Sequence, residues 1–158
     1  MNKKIAIIIG IVAVIVIIAV VLIFNMNKEV VLNLEEVDTQ MSEKIGIDEA
    51  AMANIDKTIL ENLYQIEPDM VANVVGKVPM MNVHASMYLV IEAVEGKEEE
   101  VLSKVKEYSK TQEEQWKMYL PAQYELVQNR KEGIVGKYVY LIISEKPEEL
   151  ENVIINNK

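Results

Sequence analysis

The chain contains no cysteine and a single histidine, His84. Without cysteine there is no disulfide framework, no thiol nucleophile and no lipid-modified cysteine, so any folded domain must be held by its core alone. One histidine leaves no zinc spacing, and neither an EF-hand, a Gly-rich phosphate loop nor a Gly-x-Ser-x-Gly elbow occurs. No catalytic residue, metal ligand or cofactor is therefore nominated. His84 lies in a connecting stretch, Pro79 to His84, without a partner that would make it a base or a ligand, and is read as solvated. Basic residues are also scarce. The 16 Lys and Arg face 25 Asp and Glu, a formal charge of −9, and setting aside Lys3 and Lys4 leaves 14 against 25, or −11, on the remainder. Such a surface repels phosphate polymers and anionic lipid headgroups, which excludes nucleic acid as a partner. No Asn-x-Ser/Thr acceptor is present, which fits a bacterial exported domain.

What is abundant is apolar sequence in one place. Residues Ile5 to Phe24 run for twenty positions without a charge. At ~1.5 Å per residue they form a helix of about 30 Å, the thickness of a bilayer's hydrocarbon core. A cleavable signal peptide would have a shorter apolar region ending at small residues, whereas Val20-Val21-Leu22-Ile23-Phe24 stays bulky up to Asn25. The run is read as an uncleaved anchor. Lys3 and Lys4 precede it, and Glu29, Glu35, Glu36 and Asp38 follow. By the positive-inside bias, residues 1–4 form a cytoplasmic tail, 5–24 the transmembrane anchor, 25–31 a short juxtamembrane linker and 32–158 an extracytoplasmic domain at the cell membrane. Ala6-x-x-x-Gly10 permits close helix contact within the anchor but does not by itself support a homo-oligomer.

Beyond the linker, Asn33 caps a helix whose apolar residues Leu34, Val37, Met41 and Ile45 recur at spacings of three and four before Gly46. A second helical pattern runs from Asp48 through Leu63 and Tyr64 and is expected to end before Glu67-Pro68-Asp69. Val71 to Val78 reads as a short edge strand, loose at Gly76, and Tyr88 to Val94 as a firmer strand with Leu89, Ile91 and Ala93 on its core side. Glu98-Glu99-Glu100 opens a long helix, where carboxylates favour the positive end of the macrodipole; consecutive carboxylates point around the cylinder rather than at one calcium ion. Val101, Val105, Tyr108, Gln112, Trp116 and Tyr119 keep one face of it, with Glu100/Lys104 and Glu113/Lys117 as i,i+4 pairs, and Pro121 stops it. A helical turn at Tyr124 to Val127, a hairpin of residues 133–135 and 138–143 about Gly136-Lys137, and a last helix from Pro147 complete the chain. The order predicts an α+β domain, a small and mostly antiparallel sheet with the long helix packed across one face.

At Gln115-Trp116-Lys117-Met118-Tyr119-Leu120-Pro121, followed by Gly136-Lys137-Tyr138-Val139-Tyr140, the chain resembles an uncharacterised domain-of-unknown-function family of membrane-anchored or lipid-anchored exported proteins of Gram-positive bacteria. The resemblance runs from about Leu34 to Ile154 and takes in Leu63-Tyr64 and the strand at Tyr88. Members often approach that strand through an acidic residue; here Ser86-Met87 stands in its place, and no role of that residue carries over. The resemblance implies location and fold, and no activity, substrate or cofactor.

An interaction surface is the remaining candidate. If the hairpin strand lies near Tyr88, the sheet's open face carries Tyr88, Tyr138 and Tyr140 with Glu92 beside them. Tyrosine joins apolar area to a polar tip and is enriched at interfaces, although it is equally at home half-buried on any sheet. The expected protein is thus a non-enzymatic, single-pass envelope module that binds another envelope protein or a peptide. The alternative is a small envelope hydrolase or ligand-sensing domain, which requires a deep pocket and a convergent carboxylate pair.

Overall fold

A computed structural model describes residues 30–157. The expected cytoplasmic tail (1–4), the expected anchor (5–24) and all but the end of the expected linker (25–31) lie outside the described residues. Among the described residues no helix is long and apolar enough to cross a membrane.

Among the described residues, five α-helices and five strands follow one another as α1 (Leu34–Lys44), β1 (Met52–Asn54), α2 (Lys57–Tyr64), β2 (Val71–Pro79), β3 (Met87–Ala93), α3 (Glu98–Tyr119), α4 (Pro121–Gln128), β4 (Lys131–Val135), β5 (Tyr138–Ile143) and α5 (Pro147–Asn156). The strands form one antiparallel sheet in the order β1-β2-β3-β5-β4. Side chains alternate across a pleated strand, so β3 and β5 each serve two cores. Leu89, Ile91, Val139 and Leu141 face α2, α3 and α4 and pack with Leu60, Tyr64, Val101, Val105, Trp116 and Val127. Tyr88, Val90, Tyr138, Tyr140 and Ile142 face α1 and α5 and pack with Val37, Met41, Leu150 and Ile154. The α+β class and the long helix across one face are as expected; the second helical layer is a correction, because the other face is closed rather than open.

Three local expectations also change. The Asp48 to Tyr64 helix is broken in two by its own caps. Asp48 accepts from the Ala50 N–H at 3.0 Å and starts only a 3-10 turn, β1 intervenes, and Asp56 accepts from the Ile59 N–H at 2.8 Å to start α2 afresh. That helix ends not through Pro68 but at Gln65, which adopts the left-handed conformation (φ 55°), with the Ile66 N–H returning to the Leu60 carbonyl. β2 is not a bare edge, since β1 pairs with its last three residues, Lys77 to Pro79. Lys77 is buried there, held by Glu49 at 2.6 Å and Asn54 at 2.9 Å, and its hydrogen bond keeps the Glu49 carboxyl below the usual carboxylate range. The helix pairs also differ: Lys97 meets Glu100 at 2.8 Å, Lys104 meets Glu67 at 3.8 Å and Arg130 meets Glu113 at 3.4 Å.

Burial holds several phenols protonated. Desolvation, reinforced by the Asp38 hydrogen bond, pushes the Tyr88 hydroxyl far above the ordinary tyrosine value; desolvation and Glu151 do the same to Tyr140, and burial followed by Tyr108 does so to Tyr64. In the unfolded chain these groups ionise near pH ~10, whereas in the fold they do not. Their folded values are raised, so their contribution is fully present below that pH and is lost as pH rises beyond it. Urea midpoints are expected to be flat from pH 7 to about 9.5 and to fall steeply above ~10. A delayed, cooperative absorbance change at 295 nm should accompany that loss, and a gradual phenol titration with unchanged midpoints would contradict it.

Candidate binding cleft

The three tyrosines of the expected interaction face do come together, but beneath helices. Tyr88 is 0% exposed, Tyr138 2% and Tyr140 8%. Each hydroxyl ties down one covering segment. Tyr88 donates to the Asp38 carboxylate of α1 at 2.7 Å, Tyr140 donates to Glu151 of α5 at 2.7 Å, and Tyr138 accepts from the Leu32 N–H at 3.1 Å. Glu92 sits at the rim of this layer, paired with Lys137 at 2.9 Å. The expectation of an open tyrosine face is therefore corrected: α1 and α5 lay their own apolar stripes across it.

The chain enters this layer at one end of the sheet. Val30 lies so close to Gly136 in the β4–β5 turn that a Cβ there would meet its side chain at 2.8 Å, and the Ala93 N–H at the end of β3 donates to the Lys137 carbonyl of that turn. The β2–β3 loop leaves the opposite end, where Met87 pairs with Ile143. Here Met80 (60%), Met81 (65%) and Val83 (58%) stand exposed, with Leu63 of α2 at 50%. Loops are ordinarily polar, so a loop reading Met-Met-Asn-Val is unusual surface.

Behind that rim lies a cleft of about 260 Å³ between the loop, α2 and α3, lined by Leu63, Val78, Pro79, Met80, Asn82, His84, Ala85, Met87, Tyr108, Gln112 and Gln115. No Asp, Glu, Lys or Arg side chain lines it. A second depression of about 310 Å³ shares Leu63, Tyr108 and Gln112 as its wall and continues the groove between α2 and α3 toward Gln65 and Lys104. Its floor is the Tyr64–Tyr108 ring pair, with centroids 4.1 Å apart, and the Tyr64 hydroxyl is spent on the Met87 sulfur at 3.8 Å. The loop wall is fastened by Gln123, whose side-chain oxygen accepts from the Ala85 N–H at 2.7 Å, while Gln112 accepts from the Trp116 indole at 3.2 Å.

His84 is not simply solvated, because its Nδ1 is buried without a hydrogen-bond partner. An unmet buried polar atom costs about 1–3 kcal/mol. His84→Leu is accordingly expected to leave the melting temperature unchanged or raise it by a few degrees, as differential scanning calorimetry would register; a clear drop would show that the ring makes a stabilising contact.

A larger hollow of about 380 Å³ lies between α4 and the start of α5, lined by Arg130 and Lys131 among others. Its cations are already committed: Arg130 binds Glu132 at 3.2 Å and Glu113, and Lys131 binds Glu148 at 3.1 Å. It therefore offers no free positive charge to an anion. Among the described residues no three His, Asp or Glu side chains are grouped to hold a metal ion. Leu63, Tyr108, Gln112 and Gln115 were not legible as site residues, since two helices and a loop separated in sequence build the cleft. The one signal was the apolar loop itself.

An antiparallel α+β domain with an uncharged, apolar-rimmed cleft at one end is what these elements make. The chain belongs to the family described as domain of unknown function (DUF4358), whose pattern matches residues 46–144. No curated protein and no solved structure matches the chain. The matched span is narrower than the resemblance suggested: it holds the whole sheet and the cleft but omits α1 and α5.

Proposed function

We propose that this is the outer domain of a single-pass, membrane-anchored envelope protein of a Gram-positive bacterium, and that it works as a non-enzymatic module binding another envelope protein or a peptide. The observation that carries this reading is the apolar rim of Met80, Met81, Val83 and Leu63 around an uncharged cleft. Exposed apolar side chains that cluster about a concavity mark sites of contact with a partner or ligand. The cleft supplies apolar walls, side-chain amides and the lone imidazole of His84, with no Asp or Glu in its lining to pair with it. Its position supports the same reading. From Phe24 to Val30 the chain reaches only about 20 Å at full extension. The Gly136 end would then lie near the bilayer, and the cleft about a strand's length, ~20 Å, farther out.

Site-specific photocrosslinking in living cells tests this. A photoreactive residue at Met81 should capture one reproducible envelope protein, whereas the same residue at Glu95, exposed at the opposite end, should not. Equal capture from both positions, or none from Met81 at native expression, overturns the binding-module reading. Protease added to wall-stripped cells should remove the domain while sparing a cytoplasmic marker.

A further inference from the structure

We infer that the α2–α3 groove takes a peptide segment bearing two apolar anchor side chains flanked by lysine or arginine; this rests on the binding-module reading. Size comes first. At about 260 and 310 Å³, the two depressions fall at or below the range of ~300–1,000 Å³ that encloses a drug-sized molecule. Each is small for a drug-sized ligand and roomy enough for a bulky apolar side chain. They share the Leu63, Tyr108 and Gln112 wall, so they lie in series, and two side-chain pockets in series are what a peptide occupies. The first pocket is walled by Leu63, Val78, Pro79, Met80 and Met87, and methionine adapts its shape to different apolar groups. Asn82, Gln112 and Gln115 stand among them. A primary amide both donates and accepts, which matches the N–H and C=O of a peptide backbone and offers nothing to an acyl chain.

Charge selects the flanks. The first pocket has no Asp, Glu, Lys or Arg in its lining, and the second has Lys104 and Glu107. Lys104 is already engaged by the Gln65 carbonyl and by Glu67, which leaves Glu107 exposed on the groove's border. With a formal charge of −11 on the chain outside Lys3 and Lys4, a cationic segment is steered toward the groove and an anionic one is repelled. An anionic lipid surface is disfavoured for the same reason.

Methionine methyl NMR on the full chain in zwitterionic nanodiscs provides the test. The probe is a blocked twelve-residue peptide with two leucines four positions apart among lysines and glycines. Met80 and Met87 signals should shift on titration while Met41 and Met52, in the opposite layer, stay fixed. Exchanging its leucines for serine or its lysines for glutamate should weaken binding at least tenfold. Leu63→Ser, at a half-exposed position, should do the same with the melting temperature retained, and Met80→Ser serves as the second variant. Equal binding of the glutamate peptide removes the charge argument, and shifts with empty nanodiscs alone would assign the groove to lipid. If the cleft methyls ignore the lysine peptide while Met81 still crosslinks to an envelope protein, the ligand chemistry is wrong and the module reading stands. If both fail, both fall.

Discussion

Replacing Tyr88, Tyr138 and Tyr140 together by serine is expected to unfold the domain. Removing a buried aromatic side chain costs about 3–5 kcal/mol, and a domain of this size is stable by only about 5–15. Three such losses in one layer, with exposures of 0%, 2% and 8%, meet or exceed what is available. Far-UV dichroism of the detergent-solubilised full chain should show the loss of ordered structure at room temperature. Native dichroism with a normal melting curve would mean that α1 and α5 do not cover the face in solution. The single phenylalanine variants separate packing from hydrogen bonding. Tyr88→Phe and Tyr140→Phe leave behind the carboxylates of Asp38 and Glu151, both half-buried and within reach of water, and should cost about 1 kcal/mol each. Tyr138→Phe strands the N–H of Leu32, which is buried, and should cost more, about 1–3 kcal/mol, in urea titrations.

Those same tyrosines mark where sequence reading and structure part. The alternation in β3 and β5, the Gly136-Lys137 turn, the acidic start and length of α3 and the proline that opens α5 were all legible, because each is a local property of a few adjacent residues. Alternation says which residues share a face but not what lies over that face. Two signs pointed to a cover. Met87 to Ile91 and Tyr138 to Ile143 are apolar on both sides of the strand, the pattern of a sheet buried on both faces. In addition, Leu34, Val37 and Met41 form a stripe that has to be buried against something. β1 was missed for the opposite reason: its three residues carry no period, and only pairing with β2 makes them a strand. The cleft is legible only in three dimensions, because Leu63, Met80 and Tyr108 meet through packing rather than through spacing.

Gly76→Ala is expected to cost about 3 kcal/mol or more through a single methyl group. Gly76 is not the loose strand end that its residue type suggested; it lies inside β2 and pairs with Leu89, one pair before the loop end of the β2–β3 ladder. A Cβ there would lie 2.5 Å from the Tyr88 carbonyl oxygen and 3.0 Å from the Leu89 Cα, both backbone atoms that cannot rotate away. Relief requires β2 to lift from β3, which breaks ladder hydrogen bonds at the centre of the sheet and the Ile55 N–H bond to the Gly76 carbonyl at 2.8 Å. Overpacking a core ordinarily costs about 1–3 kcal/mol, and this case should reach or pass the upper figure because the obstruction is backbone. Gly46 supplies the contrast. Its φ is +76° with open space around the Cβ position, so Gly46→Asn, which tolerates that conformation, should change stability by less than about 1 kcal/mol. Urea midpoints for the two variants should therefore differ widely although each alters one glycine. Because β2 runs directly into Pro79 and Met80, hydrogen exchange in Gly76→Ala should also quicken along β2 and in the loop that walls the cleft. Protection retained across that loop would show that β2 yields locally at Gly76 without transmitting the displacement to the site.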